Sequence, residues 1–225
     1  MGKRTIYHGS SDIIEKPIFG KGKTYNDYGQ GFYCTEHINL AKEWACTEGA
    51  CGYANKYEIE TDELRVLNLS SPEFSVLNWL AVLMQNRIGR LSTPIAKQGR
   101  EYLIQNFLPQ YESYDAMIGY RADDSYFSFA RSFISNEISL KQLERAMKLG
   151  KLGEQFVLKS KKAFDIVQFV GYEMADNAVY YQQRKARDED ARTAYQAELE
   201  KDDLEGIFMR DMIREGMKPD DLRFR

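Results

Sequence analysis

The chain has 225 residues, enough for one large domain or one domain with an appendage. It carries 31 Lys and Arg against 34 Asp and Glu, a net charge of −3, so no global basic field recruits nucleic acid, although a local groove still can. No apolar run approaches the roughly 20 residues that span a bilayer, and Met1 to Thr5 leads into Ile6-Tyr7-His8 without an apolar signal segment, which predicts a cytoplasmic protein with no membrane partner.

Cys34, Cys46 and Cys51 are odd in number and lack a CxxC pair, which argues against both a disulfide framework and a zinc site. His8 and His37 are the only histidines, so His-rich metal centres are excluded, and a Ser-His or Cys-His nucleophile must use one of them. Fifteen tyrosines and twelve phenylalanines suit core packing or an aromatic-lined cleft.

Thr5-Ile6-Tyr7-His8-Gly9-Ser10 reads as a strand ending at a Gly turn. His8 there either points its imidazole into a cleft or is a satisfied structural histidine. Pro17 to Tyr28, with Gly20, Gly22, Asn26 and Asp27, is a loop long enough to form a flap. Gly29 and Gly31 then bracket one residue and permit a sharp turn or close ligand approach. Phe32 to Thr35 reads as a short buried strand and Asn39 to Ala45 as a helix, with Asn39 or Thr35 as its N-cap.

Tyr53 to Glu60 and Arg65 to Leu69 are predicted strands. Ser71 and Pro72 predict a helix start, running through Trp79 to about Arg87. Residues 96–107 form another helix, Tyr114 to Arg121 a strand, and Ala122-Asp123-Asp124-Ser125 a polar cap on a helix from near Tyr126. A helix over 139–149 between Ser139 and Gly150 precedes a strand from Gly153 to Lys159. Ala163 to Tyr172 reads as the last strand, with 163–167 also compatible with helix. Beyond Met174, residues 175–205 predict a long helix with a thin apolar stripe, and Ile207 to Met217 a second, more apolar one. The pair reads as an arm folding back on the domain or as a docking surface. Arg184, Lys185 and Arg187 give it a short basic patch among an equal share of acids.

Three of these segments together resemble a known superfamily. Tyr7-His8-Gly9-Ser10 resembles the His-Gly-Ser strand of the poly-ADP-ribose polymerase branch of the ADP-ribosyltransferases. Gly29-Gln30-Gly31-Phe32-Tyr33-Cys34-Thr35, with Trp44 on the helix beyond, resembles that branch's Gly-x-Gly-x-Tyr strand and following helix. Gln155-Phe156-Val157-Leu158 resembles the strand opening with the third signature residue, usually glutamate. Asp115, Gly119 and Ala122-Asp123-Asp124 are similar to a stretch shared by the bacterial DUF3990 family.

The resemblance spans residues 5 to 172. It implies an α+β fold with a split antiparallel sheet and helical insertions over residues 1–174, followed by a helical C-terminal extension over 175–225. It also implies mono-ADP-ribosyl transfer from NAD, as co-substrate and without a metal, to a protein or nucleic-acid acceptor. Catalytic roles fall to His8, Tyr33 and Gln155, and NAD-binding roles to His8, Gly9, Ser10, Gly31, Tyr33, Thr35, Trp44 and Asp123. Bacterial proteins resembling this are often toxins paired with a small antitoxin, or parts of phage defence, which makes an antitoxin an expected partner.

Gln155 is where the chain departs from the pattern. A glutamine accepts the hydrogen bond of a ribose hydroxyl but carries no charge for an oxocarbenium-like transition state. Glu154, on the opposite face of the strand, cannot share the cleft. Asp123, Asp124 or Glu36 is then the expected carboxylate, and Gln155→Glu is expected to preserve or raise NAD cleavage. Three outcomes stay open: a transferase with an unusual acceptor, an NAD glycohydrolase, or a weak NAD-binding interaction module.

Overall fold

The structure is a computed structural model that describes residues 2–224 apart from Ile88, Arg90, Asp123, residues 150–152 and Asp202, and without the side chain of Asp124. Two sheets carry the fold. Strands β1 (Lys3–Ser10), β3 (Gly52–Glu60) and β7 (Gln168–Ala175) form an antiparallel sheet in the order β1-β3-β7. Strands β2 (Phe32–Cys34), β4 (Val66–Asn68), β5 (Ala116–Tyr120) and β6 (Glu154–Leu158) form the second, in the order β2-β6-β5-β4. The architecture is α+β as expected, but the second sheet is mixed, because β4 runs parallel to β5.

The sheets meet at one antiparallel bridge between Tyr7 and Thr35, with backbone hydrogen bonds of 2.7 and 2.9 Å. Ile6, Phe32, Cys34, Tyr57, Phe156 and Leu158 bury together on the inner side of this junction. Helix α1 (Ile38–Ala45) packs against β1 and β3 from the other side. A Cβ on Gly9 would lie 2.0 Å from the Ala41 carbonyl oxygen, so α1 seats this closely only over glycine. The N-cap position of α1 is His37, not Asn39 or Thr35, and Thr35 Oγ1 accepts the His37 N–H at 3.2 Å.

The larger core lies between the second sheet and helices α2 (Val76–Asn86), α3 (Pro94–Phe107), α4 (Asp124–Ile134) and α5 (Leu140–Ala146). Trp79, Leu80, Leu83, Leu103, Phe107, Phe129 and Phe133 are fully buried there. Helix α2 begins later than Ser71-Pro72 predicts. Ser71 Oγ donates to the Asn68 carbonyl at 2.8 Å and closes a turn, while Ser75 and Asn78 form the capping box. Residues 161–166 settle as helix α6 (Lys161–Ile166), capped by Ser160, and the final strand follows it.

The C-terminal segment comprises α7 (Asn177–Leu199), α8 (Met209–Glu215) and a 3-10 turn at Leu222–Phe224. Tyr195, Met209, Met212 and Met217 are buried in the same core as α2 to α5, with Ile207 and Ile213 half-buried against it. The segment thus folds back on the domain as expected, with its apolar residues packed on the core. Arg187 on α7 grips Glu43 on α1 with two hydrogen bonds, 3.0 and 2.7 Å, and Glu43 is only 2% exposed.

Removing one partner of a buried pair leaves an uncompensated charge. Arg187→Ala should therefore destabilise the protein by about 2–4 kcal/mol, less than a fully buried pair because the arginine is partly exposed. Adding Glu43→Gln should recover much of the loss. Urea unfolding midpoints of the two variants and the double variant check this.

Candidate functional site

On the far side of the sheet junction lies a cavity of about 820 Å³. His8, Gly9, Gly31, Tyr33, Trp44 and Gln155 line it, together with Asp27, Arg87, Arg121 and residues of the 14–26 loop. Most of the residues singled out in sequence thus converge on one space, although they come from β1, β2, α1 and β6.

His8 sits near the end of β1, stacked on Phe32 with ring centroids 4.3 Å apart. Its Nδ1 lies 2.7 Å from the Tyr33 carbonyl oxygen, an acceptor only, so Nδ1 carries the proton. Burial pushes the His8 pKa below its ordinary value, against the opposing pull of that carbonyl. The ring is therefore neutral at pH 7, with the Nε2 lone pair as its remaining polar site.

Tyr33 spans the preceding turn. Its hydroxyl donates to the Gly29 carbonyl at 2.6 Å and accepts the Tyr28 N–H at 3.0 Å. Burial raises its pKa far above the usual phenol value, so it contributes a ring face rather than a proton. Gly31 packs where a Cβ would lie 2.7 Å from Val157 Cγ1, which holds this turn flat against β6. Lys159 Nζ reinforces it, donating to the carbonyls of Tyr28 and, at 2.7 Å, Gln30. Trp44 is half-buried with the Arg121 guanidinium 3.5 Å above its ring, a cation–π contact that covers one face.

Gln155 is 5% exposed at the start of β6. Its Nε2 donates to Asp27 Oδ2 at 3.2 Å, while its Oε1 is buried without a hydrogen-bond partner among the described residues. Buried polar atoms seldom stay unpaired, and Gln155 is a lining residue of the cavity. Glu154 is exposed, whereas Gln155 is buried, and a second small cavity beside Arg4, Glu36 and His37 is lined by both.

Asp27 is the candidate site residue that sequence reasoning missed. It sits at the end of the loop, 8% exposed, with its carboxylate between Arg87 Nη1 at 3.1 Å, the Ala122 N–H at 2.9 Å and Gln155. Burial raises its pKa above the carboxylate norm, while the Ala122 amide and the Arg87 and Arg121 charges pull it back. The one sequence signal was its place directly before Tyr28-Gly29, where it read as a turn former. Arg87 also donates to the Ala122 carbonyl at 2.6 Å and lies over the Phe127 ring.

Several expectations change. The carboxylate beside Gln155 is Asp27, not Glu36, which is exposed and pairs with Arg4 at 2.9 Å. Asp123 and the Asp124 side chain lie outside the described residues. Thr35 and Ser10 are not among the lining residues: Thr35 is fully buried at the sheet bridge, and Ser10 Oγ bonds the Asp12 carbonyl at 2.5 Å and accepts from Asn55 at 3.0 Å. Gly9 serves the packing of α1 as well as the cavity wall. A glutamate at position 155 would bring a second carboxylate against Asp27, so Gln155→Glu should no longer be benign.

Among the described residues, no cluster of His, Cys, Asp and Glu is arranged to hold a metal ion, and no helix is long and apolar enough to cross a membrane. The family described as a protein of unknown function (DUF3990) matches residues 4–169, and the chain belongs to that family. The match includes every cavity residue named above and stops before α7. No curated protein and no solved structure matches the chain.

The environment of His8 has a pH signature. Its folded pKa lies below the unfolded value of about 6.5, so between the two the unfolded chain binds more protons. His8 therefore makes stability rise with pH through that window and fall on acidification. His8→Gln, which cannot titrate, should show a smaller loss of urea midpoint between about pH 7 and pH 5.5 than the unmodified protein. An equal loss in both would place the His8 environment wrongly.

Proposed function

We propose that this protein transfers ADP-ribose from NAD to a macromolecular acceptor. The observation that carries the reading is the buried, unpaired Gln155 Oε1 beside the Asp27 carboxylate in a cavity that also presents His8 Nε2 and the Tyr33 and Trp44 rings. These groups suit the parts of the dinucleotide. Neutral His8 accepts a ribose hydroxyl through Nε2, and the aromatic faces take flat rings, each such contact contributing on the order of 1 kcal/mol beyond burial. Gln155 Oε1 accepts a hydroxyl of the nicotinamide ribose. Arg87 and Arg121 supply positive charge for the diphosphate.

The chemistry follows from that placement. As the bond between ribose C1′ and the nicotinamide nitrogen breaks, its electron pair neutralises the pyridinium and nicotinamide leaves uncharged. Positive charge develops on the ribose, and Asp27 supplies the negative charge that glutamine lacks. An acceptor O–H or N–H forms the new bond to C1′ and releases its proton to solvent. Arg87 and the Ala122 amide favour the ionised form of Asp27 and oppose the upward pull of burial on its pKa. They also fix the Oδ2 that orients Gln155.

NAD at 100 times its dissociation constant should stabilise the protein by about 2.7 kcal/mol in a thermal melt. Gln155→Ala should cost one to two decades in the rate of nicotinamide release, from a buried hydrogen bond worth roughly 1–3 kcal/mol. Asp27→Asn keeps the shape and should cost about two to three decades, the usual penalty for losing a preorganised electrostatic group. Gln155→Glu should fall with them. Full turnover in Asp27→Asn would remove Asp27 from the chemistry, and absence of NAD stabilisation would sink the proposal.

A further inference from the structure

The loop between β1 and β2 carries a feature that dinucleotide binding does not use up. Residues 16–26 include Lys16, Lys21 and Lys23 and no acidic residue, in a chain whose net charge is −3. Interleaved with the lysines are Ile18, Phe19 and Tyr25, which stand 60%, 52% and 52% exposed. Phe19 meets Phe164 edge-on at 5.5 Å, and Lys23 Nζ lies 6.0 Å from the Tyr25 ring centroid, so the rings keep open faces.

The loop is braced in this pose. Gln30 Nε2 donates to the carbonyls of Gly20 at 2.5 Å and Gly22 at 2.9 Å, and Lys21 N–H closes a turn onto Ile18 at 3.3 Å. Gly22 packs so near Gly31 that a Cβ would lie 2.5 Å from the Gly31 carbonyl oxygen. Exposed rings held in place by backbone contacts elsewhere are presented, not merely left over.

Charge points to the occupant. Among the described lining residues, Lys16, Lys21 and Lys23 face the cavity beside Arg87, which pairs with the Asp27 carboxylate, and Arg121, which lies over Trp44. In the reading above the NAD diphosphate falls to Arg87 and Arg121, which leaves the three lysines to meet another anion. Cations tracking a backbone with aromatic faces between them are the recognition pattern for single-stranded nucleic acid. A lipid surface also likes lysines and aromatics, but it is flat, whereas this strip runs into a concavity that a single strand can enter.

We infer that the 16–25 strip binds single-stranded nucleic acid and leads a nucleotide into the cavity as the ADP-ribose acceptor. A base N–H or sugar hydroxyl of that nucleotide then bonds to C1′ and loses its proton. The acceptor role rests on the transferase reading; the binding does not.

Fluorescence anisotropy of the full chain with labelled oligothymidylate and oligouridylate, the matching duplexes, and vesicles of phosphatidylserine and phosphatidylcholine tests the strip. Single strands should bind more tightly than duplexes. Log affinity should fall against log salt with a slope of roughly −2, about −0.7 for each of three lysine–phosphate contacts. Phe19→Ala and Tyr25→Ala should each weaken single-strand binding roughly five- to 150-fold. Lys21→Gln with Lys23→Gln should flatten the slope by about 1.4. Equal affinity for duplex, binding to vesicles instead of strands, or indifference to all four substitutions would overturn the inference. NAD stabilisation is measured on the same protein. Strand binding without it would refute the transferase reading and leave the strip, while NAD binding without strand binding would refute the strip alone. Mass spectrometry of the oligonucleotide after incubation with NAD should show an added ADP-ribose; nicotinamide release with an unmodified strand would overturn the acceptor role.

Discussion

The two backbone hydrogen bonds between Tyr7 and Thr35 are the constraint on which the site depends. They are the junction at which β1 leaves for one sheet and β2 for the other. Strands that touch at a single rung must diverge beyond it, and the wedge between them is filled at one end and open at the other. Ile6, Phe32 and Tyr57 fill the closed end. At the open end, a further antiparallel rung would set Gly9 opposite Tyr33. Instead the Tyr33 carbonyl takes its hydrogen bond from the His8 ring, which extends the junction with a side chain and leaves Nε2 over the cavity.

Electrostatics at the open end follow from the same geometry. A carboxylate as buried as Asp27 is costly unless its charge is answered, and here two charged side chains, one amide and Gln155 Nε2 answer it. Replacing such a cluster with apolar groups often stabilises a fold, so its presence is poor evidence for a stability role. Its location beside an unpaired acceptor in a concavity makes function the better account. The arrangement also explains a glutamine where resemblance leads one to expect glutamate. A second carboxylate at 155 would sit against the Asp27 carboxyl, whereas an amide donates to Asp27 with one end and keeps its acceptor free with the other.

The sequence made the strands and the convergent residues legible because those signals are local. His8 at a strand end, the Gly-framed turn before Tyr33, and the alternation separating Glu154 from Gln155 all survive in the structure. Starts of helices were less legible. Ser71-Pro72 has the composition of a helix start, but the Ser71 hydroxyl turns back to Asn68 and Ser75 takes over as cap. Asp27 was hidden for a different reason. Its partners Arg87, Ala122 and Gln155 lie 60, 95 and 128 residues away, so nothing near it in the chain distinguishes it from any turn aspartate. The C-terminal segment folds back on the domain as its apolar cluster led one to expect, with only Ala191 and Tyr195 of α7 buried in a thin stripe.

That thin docking stripe has a consequence for the cavity. Helix α1 is eight residues long, too short to be stable alone, so its orientation is set by what it packs on. Glu43 and Trp44 are consecutive on it and point about 100° apart. Glu43 faces back to the bidentate Arg187 of α7, and Trp44 faces forward to the cavity under Arg121. Fixing one fixes the other, because a short helix turns as a unit. The Gly9 contact sets how close α1 lies to β1, and the Arg187 pair sets its rotation. The helix α7, outside the residues that define the family, therefore braces the cavity-lining α1 through the Arg187–Glu43 ion pair and the Tyr180–Lys42 contact.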